Sequence, residues 1–140
     1  MEFIGWPDSL SFSRARACSC LRRRPQMNTV LDEAKTLAAD VAKAAESAAG
    51  VDVAVCVPFP FLVPVGDVLK GTKIGLGAQD CYYEEAGAYT AAVSTGMLKS
   101  VGSQYVLTGH SERRATFGDS DEDVNKKTLK VLAEGLKAIL

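Results

Sequence analysis

The residues best placed for chemistry lie between Tyr105 and Arg114, in a stretch that opens with an apolar run and then turns polar. The run predicts a short buried strand, and a glycine turns the chain before His110, the one histidine in the sequence. Ser111 is placed to cap a helical turn, and Glu112 and Arg113 are a charged pair of the kind that fixes a loop. Reactive groups in α/β folds lie at the carboxyl ends of parallel strands. A lone histidine is more often structural than chemical, so position alone leaves both interpretations open.

The elements that must position this stretch alternate between helices and strands. Residues 29–48 carry small apolar side chains at helical spacing, with Asn28 or Thr29 predicted as the cap and Gly50 as the stop. Apolar runs predict buried strands at 53–57, 74–79, 105–107 and from 137 onward, and the first is expected to be buried on both faces. Helices are predicted between them at 61–69, 94–101 and 120–135. This alternation is typical of an α/β fold with parallel strands.

The composition is that of an ordinary globular domain. The chain has 140 residues, 47% of them apolar, and a formal net charge of -1. A near-neutral chain is a poor partner for nucleic acid or an anionic membrane, so neither is expected. No apolar run approaches the roughly 20 residues of a membrane span.

The four cysteines do not form a recognisable site. They show no Cys-x-x-Cys spacing, and a single histidine is present to join them; they are Cys18, Cys20, Cys56 and Cys81. A metal site is therefore not expected, a disulfide framework is no better supported, and reduced thiols are the default expectation.

The first 27 residues differ from the rest of the chain. They have no clear period and carry a net charge of +3, which leaves -4 for the remainder. We expect residues 1–27 to be a disordered or wrongly joined Arg-rich leader, and residues 28–140 to form the domain. A cytoplasmic location follows from that interpretation. The alternative is a transit peptide directing the chain to a plastid or mitochondrion.

From about Met27 to Leu140 the sequence resembles the triosephosphate isomerase family in a continuous series of motifs. The most specific motif is Gly109-His110-Ser111-Glu112-Arg113-Arg114 followed by Phe117-Gly118-Asp119. Others, in the family's order, are Val57-Pro58-Phe59, Gly77-Ala78-Gln79-Asp80-Cys81 and Gly87-Ala88-Tyr89-Thr90. Several motifs in the right order make accidental similarity negligible.

The resemblance implies a fold and an activity. The fold is α/β, about half of a TIM (β/α)8 barrel running from helix one to the start of strand five, with parallel strands and flanking helices. The activity is interconversion of dihydroxyacetone phosphate and D-glyceraldehyde 3-phosphate, a reaction of glycolysis and gluconeogenesis. It requires a small phosphorylated triose substrate and a homodimer, but neither metal nor organic cofactor.

The resemblance also assigns roles to individual residues. His110 matches the family's neutral histidine, the electrophile that donates a hydrogen bond to the substrate carbonyl, and Glu112 matches a supporting carboxylate. The family's substrate-binding asparagine and lysine are replaced here by Arg24 and Gln26, so no substrate-binding residue is expected.

The resemblance also predicts which residues lie at the subunit interface, and the sequence differs from the family at two positions beside them. Gln79 and Thr90 match residues of the dimer interface. Ala91 and Ala92 stand where the family commonly has Gly-Glu, so an ion pair to Arg113 is in doubt. Arg113 and Arg114 are expected to form structural ion pairs, and Cys81 to be inert packing or interface.

The length of the match completes the sequence-based hypothesis. Because the family has about 250 residues, we expect this to be a truncated chain that lacks the family's glutamate base, lid and phosphate-binding loops and is inactive alone. The alternative is a non-catalytic half-barrel that pairs with an intact subunit or a complementary fragment.

Overall fold

The computed structural model describes residues 27–47 and 50–140. Four helices alternate with four strands over these residues: α1 (Leu31–Ala45), β1 (Ala54–Val57), α2 (Leu62–Leu69), β2 (Gly75–Ala78), α3 (Thr95–Ser100), β3 (Tyr105–Leu107), α4 (Asp121–Ala133) and β4 (Lys137–Ile139). A 3-10 turn, Phe59–Phe61, precedes α2, and a π-helical turn, Arg113–Phe117, follows β3. The leader up to Gln26, including Arg24, lies outside the described residues.

The four strands form one parallel sheet in the order β1-β2-β3-β4. Each strand pairs with the next along the chain, so every connection returns to the same edge through a crossover. This confirms the predicted α/β class and matches about half of a (β/α)8 barrel. It also places the carboxyl ends of all four strands together, where the site residues lie.

The core lies between one face of the sheet and the helices. That face presents Val55, Val57, Leu76, Ala78 and Val106, all buried. Small residues on α1, such as the fully buried Ala38, let this helix pack closely against the rest of the core. Leu62, Val65 and Leu69 of α2 and Val131 of α4 complete the core.

The opposite face of the sheet is less covered. Side chains alternate between faces along a strand, and those between the core positions are Ala54, Cys56, Tyr105 and Leu107, which are half-buried. The expectation that β1 is buried on both faces is therefore wrong. The Tyr105 ring lies over Gly75, where an added Cβ would come within 2.3 Å of the ring.

Two of the predicted helix caps, Ser94 and Ser120, are present. The Ser94 and Ser120 hydroxyls accept hydrogen bonds from the amides of Met97 and Asp123 at 3.3 and 3.1 Å. The cap predicted at Asn28 or Thr29 is wrong. The residue before α1 is Val30, whose amide donates to the Glu33 carboxylate at 3.1 Å, so a glutamate within the first turn supplies the cap.

None of the helices in the described part of the chain is long and apolar enough to cross a membrane.

Candidate active site

His110 lies at the carboxyl end of β3, in the turn that links this strand to α4. The turn is joined to the next strand by the Thr108 amide, which donates to the Ile139 carbonyl at 2.9 Å. Gly109 has φ +74°, and an added Cβ would come within 2.6 Å of Val124. A side chain at position 109 would therefore strain the backbone and press on α4, which explains the glycine before the histidine.

The imidazole is held by its own turn. The amide of Glu112 donates to Nδ1 of His110 at 3.3 Å, and the amides of Arg113 and Arg114 donate to the His110 carbonyl at 2.9 and 3.1 Å. The histidine ring, rather than the predicted Ser111 hydroxyl, thus accepts at the start of this helical turn. A nitrogen that accepts from an amide carries no proton, so a neutral ring carries its proton on Nε2. The ring, about a quarter exposed, can then donate from Nε2 to a carbonyl oxygen.

Glu112 lies beside the same ring but on its accepting side. Its carboxylate is 3.8 Å from Nδ1 of His110, and its side chain is 57% exposed. The structure therefore brings together the two residues predicted to be catalytic. It places the carboxylate near the nitrogen that already accepts the amide, so its supporting role remains a prediction.

An ionic cluster holds the other side of the turn. It consists of Asp80, Arg113, Asp119 and Lys127, and we call it the Asp80 cluster. Nε of Arg113 donates to Asp119 at 2.9 Å and lies 3.1 Å from Asp80. Nζ of Lys127 donates to Asp80 at 2.9 Å and to Asp119 at 2.8 Å, and the Lys127 side chain is only 5% exposed. Two carboxylates and two cations are thus balanced in a largely water-excluded space.

Contacts within the cluster shift the pKa values of Asp119 and Lys127 in directions that favour their charged forms. The hydrogen bond from Arg113 and then that from Lys127 lower the pKa of Asp119, although burial opposes them. Burial disfavours the Lys127 ammonium, but the hydrogen bonds to Asp119 and Asp80 outweigh it and raise the pKa of Lys127.

The sequence interpretation missed Asp80 and Lys127 as members of this cluster. Lys127 lies at helical spacing between the buried Val124 and Val131, and that spacing was a signal that its side chain faces inward. A buried lysine requires an anionic partner, and Asp80 follows the end of a buried strand.

Arg113 and Arg114 both find carboxylate partners, and those of Arg113 belong to the Asp80 cluster. With alanine at position 92, Arg113 takes its carboxylates from Asp80 and Asp119, and its guanidinium lies 4.9 Å from the centre of the Phe117 ring. Arg114 pairs with Asp121. Both arginines therefore form ion pairs, as expected. Ala91 adopts φ +71°, a left-handed conformation in which a glycine would be unstrained.

The remaining predicted residues lie near the site or on its margin. Gln79 is at the end of β2 and donates from Nε2 to the Cys56 carbonyl at 3.2 Å, whereas Thr90 is exposed on the loop before α3. Their role in a dimer interface remains a prediction. Cys81 is buried, and burial, followed by the charge of Asp80, raises its pKa to about 12, as befits an unreactive thiol.

Known proteins resemble the chain over most of its length. The family model for triosephosphate isomerase matches residues 25–140. A triosephosphate isomerase of Chlorobium luteolum is 47% identical over 116 residues, 82% of this chain and 46% of the relative. One from Carboxydothermus hydrogenoformans is 52% identical over 90 residues, which are 64% of this chain and 36% of the relative. One from Aquifex aeolicus is 41% identical over 115 residues, 82% of this chain and 47% of the relative.

These curated relatives are longer proteins, and the chain spans less than half of the length of each. The matched region includes all four strands, the turn of His110 and the Asp80 cluster. With the parallel sheet and the imidazole at its carboxyl edge, this match shows that the chain belongs to the triosephosphate isomerase family.

Proposed function

We propose that this chain provides the electrophile half of a triosephosphate isomerase active site, for interconversion of dihydroxyacetone phosphate and D-glyceraldehyde 3-phosphate. The observation that carries the proposal is the hydrogen bond from the Glu112 amide to Nδ1 of His110. It leaves Nε2 as the donor of a neutral ring, the form that polarises a substrate carbonyl in this enzyme family. A carbonyl polarised in this way acidifies the neighbouring carbon, from which a carboxylate base removes a proton.

The proposal includes the family's environment for this reaction. The substrate is a small phosphorylated triose, no cofactor takes part, and the working form is a homodimer with Gln79 and Thr90 at its interface. We place the domain at residues 28–140 and the reaction in the cytoplasm. The buried free thiol of Cys81 supports a reducing compartment.

We infer that the 140-residue chain alone gives no turnover above background. The carboxylate described beside the ring, Glu112, faces its accepting nitrogen rather than its donor. A positioned general base contributes about 10²–10⁴-fold to the rate. A coupled isomerase assay of the purified chain tests this inference, and turnover within a hundredfold of an intact isomerase would contradict it.

The isomerase proposal is tested by transplanting the described domain. We would replace the matching segment of the Chlorobium luteolum relative by residues 27–140 of this chain. The chimera should isomerise dihydroxyacetone phosphate, and His110→Gln in the chimera should lower kcat by about 10²–10⁴-fold. The matched control is Gln104→Ala, an exposed residue one position before β3. An active chimera that is indifferent to His110→Gln would refute the role of the imidazole.

The second candidate is the non-catalytic half-barrel module, favoured by the half-buried sheet face of Ala54, Cys56, Tyr105 and Leu107. Parallel sheets are normally covered on both faces. Size-exclusion chromatography with and without the intact Chlorobium luteolum relative separates the two candidates. Co-elution together with an inactive chimera would favour the module over the isomerase.

A further inference from the structure

Arg113 attaches the turn of His110 to the rest of the domain. Its amide donates to the carbonyl of His110, so the arginine and the imidazole belong to one hydrogen-bonded turn. Moving the Arg113 side chain therefore moves the turn that also carries the amide of Glu112, the donor to the ring.

The two carboxylates that bind Arg113 have different positions in the fold. Asp119 is six residues away, in the same connection between β3 and α4, and its amide also donates to the Arg113 carbonyl at 3.4 Å. The contact between Asp119 and Arg113 therefore lies within one loop and does not connect it to another strand. Asp80 follows the end of β2, a different strand, and its Oδ2 lies 3.1 Å from Nε of Arg113. The contact with Asp80 thus ties the histidine turn to the neighbouring strand end.

The second oxygen of Asp80 is already engaged. Nζ of Lys127, from α4, donates to Oδ1 of Asp80 at 2.9 Å, while Oδ2 faces Arg113. Each oxygen of Asp80 thus meets one cation, and the side chain is 17% exposed. A carboxylate is required for this arrangement, because an amide of the same shape offers one oxygen and turns an NH₂ group toward the other cation.

We propose that Asp80 is a positioning residue for His110, acting through Arg113 to hold the turn in which Nδ1 of the ring accepts the Glu112 amide. The role for chemistry rests on the proposed isomerase function, whereas the coupling between Asp80 and the ring exists without substrate. Asp80 provides within the same chain the carboxylate that alanine at position 92 does not supply to Arg113.

The experiment is ¹⁵N NMR of the full 140-residue chain, in which the lone imidazole needs no assignment against other histidines. In the parent chain at neutral pH we expect the Nε2–H tautomer and a protected Glu112 amide. Asp80→Asn should move both ring nitrogen shifts toward their tautomer-averaged values. It should also accelerate hydrogen exchange of the Glu112 amide, on the order of tenfold. The control is Asp121→Asn, which removes the carboxylate partner of Arg114; that carboxylate is 89% exposed.

The outcomes are distinct. A folded Asp80→Asn chain, with the Val106 amide still protected and the ring signals changed, supports the proposal; unchanged ring signals in that folded chain overturn it. Should Asp80→Asn unfold the chain, Arg113→Lys decides in the same way. Lysine keeps the charge but lacks the fork in which Nε and Nη2 bind Asp119 while Nε also faces Asp80. Unfolding of both variants would also overturn the proposal, because the two groups would then maintain the fold rather than the turn. None of these readouts involves turnover, so failure of the isomerase proposal would be seen separately in the chimera.

Discussion

Replacing Lys127 by methionine should destabilise the domain far more than replacing its neighbour Lys126. Lys127 is buried on α4 and donates to both Asp80 and Asp119. Methionine fills similar space but leaves these two carboxylates with Arg113 as their one cation in the cluster. Removing one partner from a buried ion pair costs about 3–5 kcal/mol, and because Arg113 remains we expect the lower end, about 3 kcal/mol.

The control variant is Lys126→Met. Lys126 is on the same helix and pairs with Glu122 at 2.7 Å, but the two side chains are 46% and 75% exposed. An ion pair in that position is largely screened by water, so Lys126→Met should leave the unfolding free energy nearly unchanged. The two variants remove the same charge from adjacent positions, and they differ in the burial of that charge and in the partners it leaves behind.

Urea denaturation followed by far-UV circular dichroism at pH 7 measures the difference. With a slope of about 1–3 kcal/mol per molar urea, a loss of about 3 kcal/mol moves the midpoint by about 1 M or more. If charge imbalance is the cause, adding Asp119→Asn to Lys127→Met should cost less than the sum of the two single changes. Equal midpoints for Lys127→Met and Lys126→Met would refute the reasoning.

Three further predictions concern single residues. Arg113 and Lys127 lower the pKa of Asp119, although burial opposes them. The stabilisation by the ionised Asp119 carboxylate is therefore fully present above pH 3.8, its ordinary pKa, and is lost as the pH falls through its lower folded-state pKa. Asp119→Asn should therefore flatten the acid limb of a stability–pH curve, and an unchanged limb would contradict this. Ala91→Gly should raise the unfolding free energy by about 0.5 kcal/mol in urea melts, because Ala91 has φ +71°; a decrease would argue against strain there. Cys81, with its pKa raised to about 12, should resist iodoacetamide at pH 8 while the half-buried Cys56 reacts, as peptide mass spectrometry would show.

The parts of the fold that follow from local pattern could be predicted from the sequence. Ser94 and Ser120 mark helix starts because their hydroxyls accept from amides a few residues on, and this chemistry is local. The alternation of apolar runs with helical periods likewise predicted the parallel sheet. The start of α1 was misplaced because a nearby polar residue is a weaker guide than the reach of the Glu33 carboxylate.

The Asp80 cluster could not be predicted in the same way, because its contacts join distant positions. Asp80 and Lys127 are 47 residues apart and meet through the packing of α4 beside the ends of β2 and β3. The sequence shows Lys127 at a buried helical position but not which carboxylate reaches it. Likewise, the motif around His110 indicated a reactive imidazole, but which ring nitrogen accepts depends on the geometry of the turn.

The Asp80 cluster also explains how a departure from the family pattern is accommodated. Alanine at position 92 offers no carboxylate, yet Arg113 is bound by Asp80 and Asp119. Asp80 can serve Arg113 because Lys127 supplies a second cation to the two partly buried carboxylates, Asp80 and Asp119. Lys127 therefore balances the charge of the two carboxylates, and Asp80 connects the cluster to the histidine turn through Arg113. This division means that Lys127→Met should be recognised mainly by its unfolding free energy and Asp80→Asn by the imidazole signals. One cluster thus yields two separable effects, on stability and on the placement of His110.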